Sequence, residues 1–305
     1  IHMIKRELGN TGLQVSVLGF GSMEIGRLRY EEAEKLLNEA LDGGINFVDS
    51  SPCYGIAEEY VGKAIGRRRD EYILATKCGC NVDSHGKFSL GPDHIWTADQ
   101  LYKNIDRSLE LLQTEYIDIW QLHGIMPDYL SGGAQDEVIA AAESIKKSGK
   151  VRHIAFSCRN GSPDQPMYPA LFGYQACKEM LQWDKFEVIQ LIYGALIRTN
   201  ENIITQAKEK NIGIICRGAV KKYFDYYDEL FKKSKLDELC DSGESAADFL
   251  IRFAISHQAI GTVIVGTGNI KHLKANIRAA QKGPLSEEIY AEAKRRLDNA
   301  GVWPK

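Results

Sequence analysis

The sequence predicts an α/β chain folded as a parallel (β/α)8 TIM barrel with an N-terminal β-hairpin plug. Two observations carry this prediction. Eight short apolar runs, at 15–20, 45–48, 72–76, 117–122, 151–156, 186–191, 212–216 and 262–265, are each followed by a helical pattern. Several of these runs end on an ionisable or polar side chain, the arrangement by which barrels build sites at the C-terminal ends of their strands.

The elements can be justified in order. Segments 4–8 and 13–15, joined around Asn10, Thr11 and Gly12, read as a short hairpin across the barrel bottom. Gly43-Gly44 and Ser148-Gly149 end helices just before strands. The clearest helix spans 98–112, with Thr97 and Gln100 as a capping box and Leu101, Ile105, Leu109 and Leu112 as one apolar stripe. In the strand that follows, alternation puts His123 on one face with Gln121, Ile119 and Ile117, the face that lines the barrel interior. Trp120 then points outward as core. A last helix covers 286–299. The chain shows no linker and no repeat longer than the β/α unit, so residues 3–305 read as one domain, and Ile1-His2 ahead of Met3 as a cloning scar.

Bulk composition excludes several classes. A hydrophobic fraction of 44% supplies a sizeable core. A net charge of −3 gives no footprint for nucleic acid. No apolar run reaches the roughly 20 residues that span a membrane, and no signal peptide is seen. Seven scattered cysteines suit a reducing, cytoplasmic setting better than a disulfide framework. Cys78-Gly-Cys80, with His85 and His94 following, is not a standard zinc spacing, so no metal site is expected.

Asp49, Tyr54, Lys77 and His123 follow three of the apolar runs. Singly, each has a plain reading: helix cap, loop aromatic, exposed strand end, satisfied hydrogen-bonding group. Together they fit the delivery of a proton to a carbonyl oxygen. A phenol with an ordinary pKa near ~10 is a weak acid at neutral pH. A neighbouring ammonium lowers that pKa, and a buried carboxylate keeps the ammonium charged and aimed. Tyr54 would then be the general acid, Lys77 its tuner, Asp49 the partner of Lys77, and His123 the orienter of substrate. None of the four can carry hydride, so a nicotinamide cofactor has to supply it.

A cofactor site is suggested where the eighth run passes into Gly266-Thr267-Gly268 and an amphipathic helix bearing Lys271, His272 and Lys274. Glycines let backbone approach phosphate, and a helix N-terminus favours anions. Arg217 and Gly218, with Lys221 and Lys222 close behind, follow the seventh run and add positive charge; Lys222 reads as solvated surface.

These segments resemble the aldo-keto reductase superfamily. Segment 44–55 (Gly-Ile-Asn-Phe-Val-Asp-Ser-Ser-Pro-Cys-Tyr-Gly) is similar to the family's aspartate–tyrosine stretch, and segment 75–79 (Ala-Thr-Lys-Cys-Gly) to its lysine strand. Segment 106–123 is similar to its helix–strand unit ending in histidine, and 149–152 (Gly-Lys-Val-Arg) to the lead into its fifth strand. The resemblance runs from about residue 8 to 276. It implies an NAD(P)H-dependent oxidoreductase acting on an aldehyde or ketone, or on the corresponding alcohol or sugar. It also implies Lys271, His272 and Lys274 at the 2′-phosphate and Asn276 at the adenine. Ser157, Gln190 and Tyr193 would stand at the nicotinamide end. NADP(H) is the preferred cofactor on this reading and NAD(H) the alternative. Many members carry arginine at the position of His272, glutamate at that of Ala275 and asparagine at that of Cys158.

The substrate would be a small carbonyl compound or sugar, met by loops 79–96, 124–135, 157–166 and 194–200 with His85, Trp96, Met126 and Tyr129. The chain ends soon after its last helix, which favours small substrates over large flat ones. The oligomeric state is left open. Two other classes share these motifs: a cofactor-binding regulatory subunit with little turnover, and a redox-neutral epimerase or lyase that retains its NAD(P).

Overall fold

Ten strands form, eight of them in a closed parallel barrel, in a computed structural model that describes residues 2–83, 86–124, 134–158, 171–222 and 224–305. The hairpin pairs β1 (Lys5–Glu7) with β2 (Gln14–Ser16), antiparallel, with Arg6 opposite Val15. The barrel strands are β3 (Leu18–Gly21), β4 (Phe47–Asp49), β5 (Ile73–Cys78), β6 (Ile117–His123), β7 (Val151–Ser157), β8 (Val188–Ile192), β9 (Gly213–Arg217) and β10 (Ile260–Val265). They follow one another around the barrel in chain order, and β10 closes it against β3.

Helices separate the strands: α1 (Tyr30–Asp42), α2 (Ala57–Ile65), α3 (Ala98–Leu112), α4 (Ala134–Lys147), α5 (Tyr174–Met180), α6 (Glu201–Glu209), α7 (Tyr227–Lys233), α8 (Ala246–Ser256), α9 (Ile270–Lys282) and α10 (Glu287–Asn299). Their apolar stripes and the outward strand residues make the larger core, which includes Trp120. The smaller core lies inside the barrel: Leu8, Val15, Phe47, Ala75, Ile119, Ala155, Val188, Ile215 and Ile264. Two of these, Leu8 and Val15, come from the hairpin, so it does plug one end. Arg6 fastens it by donating to the carbonyls of Ile255 (2.7 Å), in the last turn of α8, and Ile260 (2.9 Å), at the start of β10.

Alternation along the strands explains where the site lies. Two residues beyond each interior apolar position comes a residue on the same face. Phe47 leads to Asp49, Ala75 to Lys77, Ile119 to Gln121, Ala155 to Ser157, Val188 to Gln190 and Ile215 to Arg217. An apolar layer filled by the plug is thus capped by a polar layer at the strands' C-terminal ends.

Three local expectations need correction. The run 15–20 is not one strand: it breaks at Val17, where Ser16 Oγ donates to Leu18 O (2.6 Å) and the Ser16 amide donates to Asn46 Oδ1 (2.6 Å). Half the run therefore serves the hairpin and half the barrel. Thr97 does cap α3, accepting from the Gln100 amide (3.3 Å), but no capping box forms, because the Gln100 side chain donates to Cys80 O (2.5 Å). Ile117, at the start of β6, packs with the larger core rather than with Ile119 in the smaller one.

Candidate active site

Asp49, at the end of β4, is almost wholly buried, and its carboxylate is fully engaged. Oδ2 accepts from Lys77 Nζ (2.7 Å), and Oδ1 accepts from Gln121 Nε2 (2.8 Å) and Gln190 Nε2 (2.9 Å). Lys77, near the end of β5, also donates to Ser50 O (2.7 Å). Both members of this ion pair are 1% exposed, so each depends on the other to stay charged. Burial opposes the Lys77 ammonium, yet Asp49 and Tyr54 together hold its pKa above the ordinary value.

Tyr54 stands on the turn between β4 and α2. Its ring centroid lies 4.8 Å from Lys77 Nζ, and the imidazole of His123 meets it edge-on with centroids 6.3 Å apart. Burial pushes the phenol above its ordinary pKa, and Lys77, although it pulls the other way, does not offset this. The net lowering by lysine expected from sequence is not what results: desolvation outweighs the pull of Lys77. Burial lowers the pKa of His123, which favours neutral imidazole.

Asp49, Tyr54 and His123 line a cavity of about 600 Å³ at the barrel mouth, together with Gly21, Ser157, Cys158, Gln190, Arg217, Gly218, Lys221 and Gly266. Ser157 Oγ donates to Gln190 Oε1 (3.3 Å). With its Nε2 committed to Asp49, Gln190 still has a lone pair on Oε1 for an incoming amide. Arg217 donates to the carbonyl of Cys158. Burial and then Arg217 pull the Lys221 pKa down, so two cations face the same space. Lys222 is exposed and ion-paired with Asp228.

The other cofactor residues named from sequence lie at the start of α9. Asn269 caps the helix, accepting from the Lys271 amide (2.8 Å), and Thr267 Oγ1 accepts from the Asn269 amide (3.1 Å). Gly268, Lys271 and His272 are exposed, and Asn276 is 8% exposed. Lys274 turns to α1, where it pairs with Glu39 (3.3 Å). Tyr193 is a correction. It is fully buried in the helical layer, away from the cavity, with its hydroxyl 3.1 Å from that of Tyr290 and its ring against Phe253 and His257. It has no surface to offer a cofactor. Of the loop residues, Trp96 stacks on His94 (6.1 Å, 10°), while His85, Met126 and Tyr129 lie outside the described residues.

A second constellation adjoins His123 and was not foreseen. Its Nδ1 lies 3.3 Å from Cys53 Sγ, 3.4 Å from Cys80 Sγ and 3.4 Å from Ser51 Oγ. The two sulfurs are 3.2 Å apart, and His94 Nε2 is 3.9 Å from Cys80 Sγ. Cys78, half of the Cys-x-Cys pair, points away and donates to Gln121 O (3.4 Å). The signal lay in strand ends: Cys53 follows β4, Cys80 follows β5 and His123 ends β6, so neighbouring strands bring together residues far apart in sequence.

Barrel, plug and mouth define a class, and the sequence comparisons place the chain within it. The profile of the aldo/keto reductase family matches residues 17–297, and the chain belongs to that family of oxidoreductases. It is similar to L-galactose dehydrogenase of Arabidopsis thaliana, 28% identical over 98% of this chain and 96% of the relative. It is also similar to the NADH-specific methylglyoxal reductase of Escherichia coli (strain K12), 30% identical over 66% of this chain and 62% of the relative. Among solved structures, the holo form of aldo-keto reductase AKR11C1 from Bacillus halodurans superposes with a TM-score of 0.82. It is 29% identical, covering 97% of this chain and 96% of that one. No helix among the described residues is long and apolar enough to cross a membrane.

Proposed function

We propose that the chain reduces small aldehydes, ketones or sugar carbonyls with NADP(H), or oxidises the corresponding alcohols, NAD(H) being the alternative cofactor. The observation that carries this is the convergence of Tyr54 and His123 on one cavity wall, above the buried Lys77–Asp49 pair. The residues fit a nicotinamide cofactor. Gln190 and Ser157 present polar atoms for a carboxamide, and Arg217 and Lys221 present charge for a pyrophosphate. A side chain on Gly266 would come within 3.0 Å of Gly21 O, so glycine keeps this rim low. Lys271 and His272, exposed on the first turn of α9, suit the 2′-phosphate, while Lys274 is shared with Glu39.

When bound, the nicotinamide supplies the hydride. Tyr54 gives its proton to the carbonyl oxygen in reduction and takes it back in oxidation. His123 donates a hydrogen bond that orients that oxygen. Lys77 keeps positive charge beside the phenol and steadies the phenolate left behind, and Asp49 holds Lys77 in place.

The test is loss of reduced-cofactor absorbance with a panel of small aldehydes and sugars, run with NADPH and NADH. Turnover with NADPH ahead of NADH is expected. In Lys271→Ala the KM for NADPH should rise by ~5- to 100-fold, as losing one charge-assisted phosphate contact implies, with NADH unchanged. Equal rates with both cofactors in the parent would overturn the NADP preference. Cofactor binding without turnover on any substrate would transfer the assignment to a regulatory or redox-neutral role.

A further inference from the structure

We propose that Cys53, Cys80, His94 and His123 bind one zinc ion in a closed Cys2His2 site beside the reaction centre. One ligand atom from each of the four lies within 4.8 Å of every other. Tetrahedral zinc, with Zn–S about 2.3 Å and Zn–N about 2.0–2.1 Å, needs ligand atoms separated by roughly 3.3–3.8 Å. The observed separations are 3.2 Å between the sulfurs and 3.3, 3.4 and 3.9 Å between sulfur and nitrogen. The His123 edges match that range, while closing the tetrahedron requires the sulfurs to part by about half an ångström and His94 to draw in.

The donor set selects the metal. Two thiolates and two imidazoles favour zinc over the hard cations that carboxylates and carbonyls hold. Two thiolates also cancel the charge of a divalent ion, so the filled site adds no net positive charge near the buried Lys77. Thiols alone would be a poor solution here, since S–H is a weak hydrogen-bond donor and sulfur a weak acceptor.

The surroundings hold the ligands in place. The Cys80 carbonyl accepts from both Gln100 Nε2 (2.5 Å) and Asn104 Nδ2 (3.0 Å). Cys80 and His94 are joined by an isolated β-bridge, and the His94 ring is stacked on Trp96. Trp96 in turn fits over Gly79, where φ is +86° and a Cβ would come within 2.4 Å of the indole. Such outer contacts are what fix metal ligands in orientation.

With four protein ligands, the ion has no open position for water or substrate and acts structurally. It would tie together the turn after β4, the loop after β5 and the end of β6. Cys53 is the residue before Tyr54, so the metal anchors the turn that carries that phenol. A further consequence rests on the role given to His123 above. Metal on Nδ1 places the remaining ring proton on Nε2, the nitrogen left to donate to a carbonyl oxygen.

The experiment is elemental analysis of protein made without an oligohistidine tag, grown with zinc and dialysed into metal-free buffer, paired with Co2+ substitution. About one zinc per chain is expected. The cobalt form should show the strong visible ligand-field bands of a tetrahedral thiolate site. Cys80→Ala and His94→Ala should lose the metal and the bands, and Cys240→Ala should keep both. If Cys80→Ala fails to fold, the cobalt spectrum of the parent still decides. A parent chain with no zinc and no tetrahedral bands overturns the proposal. Thiol titration of that denatured protein would then distinguish seven free cysteines from a Cys53–Cys80 disulfide, and either result contradicts a metal site. None of these readouts depends on turnover, so the site and the reductase reading can fail separately.

Discussion

At the residue scale, the Lys77–Asp49 pair concentrates the most chemistry in the fewest atoms. Asp49 accepts three hydrogen bonds and Lys77 donates at least two, all to or from other protein groups. Replacing only the cation leaves a buried carboxylate uncompensated, so Lys77→Met should cost ~3–5 kcal/mol in urea unfolding as well as turnover. Adding Asp49→Asn should recover much of the stability and none of the rate. A single variant as stable as the parent would mean that Asp49 can find another partner. These two residues and His123 could be read from sequence because each closes an apolar run whose alternation sets its direction, and Tyr54 follows on the turn after the first of those runs. Cys53, Cys80 and His94 could not. A search for ligand spacing looks within one stretch of chain, whereas here three strand ends supply the group. Tyr193 was misjudged because alternation was not applied to it: it stands three residues after Gln190, on the outward face of Ile189 and Leu191, and its ring packs among the helices.

At the element scale, α2 and α3 approach so closely that one glycine decides the fit. A Cβ on Gly62 would lie 2.1 Å from Leu111 O and 2.8 Å from Leu112 C, both backbone atoms that cannot swing aside. Gly→Ala inside a helix normally adds ~0.5–1 kcal/mol of stability. Here overpacking should win, and Gly62→Ala should lose ~1–3 kcal/mol by denaturant titration. A stabilised variant would show that the helices can separate at little cost. Strand positions came through well from sequence because the runs are short, apolar and separated by helical patterns. What sequence missed were side chains that bond across elements. Ser16 and Asn46 split the first run, and Gln100 leaves its expected capping partner for Cys80. Such bonds depend on tertiary neighbours that no local pattern reveals.

At the scale of the whole molecule, the hairpin seals the barrel bottom, and His257 lies at that seam. Its carbonyl accepts from Arg6 (3.3 Å), its Nδ1 accepts from the Ala259 amide (3.3 Å), and its ring abuts Tyr193. Burial pushes its pKa down to about 4. Between that value and the ordinary ~6.5, the unfolded chain binds the proton and the folded chain does not. This contribution is therefore complete above ~6.5 and is lost as pH falls towards 4. His257→Gln should flatten the fall of melting temperature over that window. An unchanged acid limb would place the titration elsewhere.

The barrel, its plug and its polar mouth were all legible in the chain, because one alternation fills the interior below and arms the rim above. The most direct test of what that rim does is Tyr54→Phe, with cofactor affinity measured by fluorescence titration and turnover measured on the best carbonyl substrate. The account predicts affinity close to the parent and turnover lower by at least ~100-fold, the scale of losing a general acid. Turnover close to the parent, with cofactor bound as before, would contradict it.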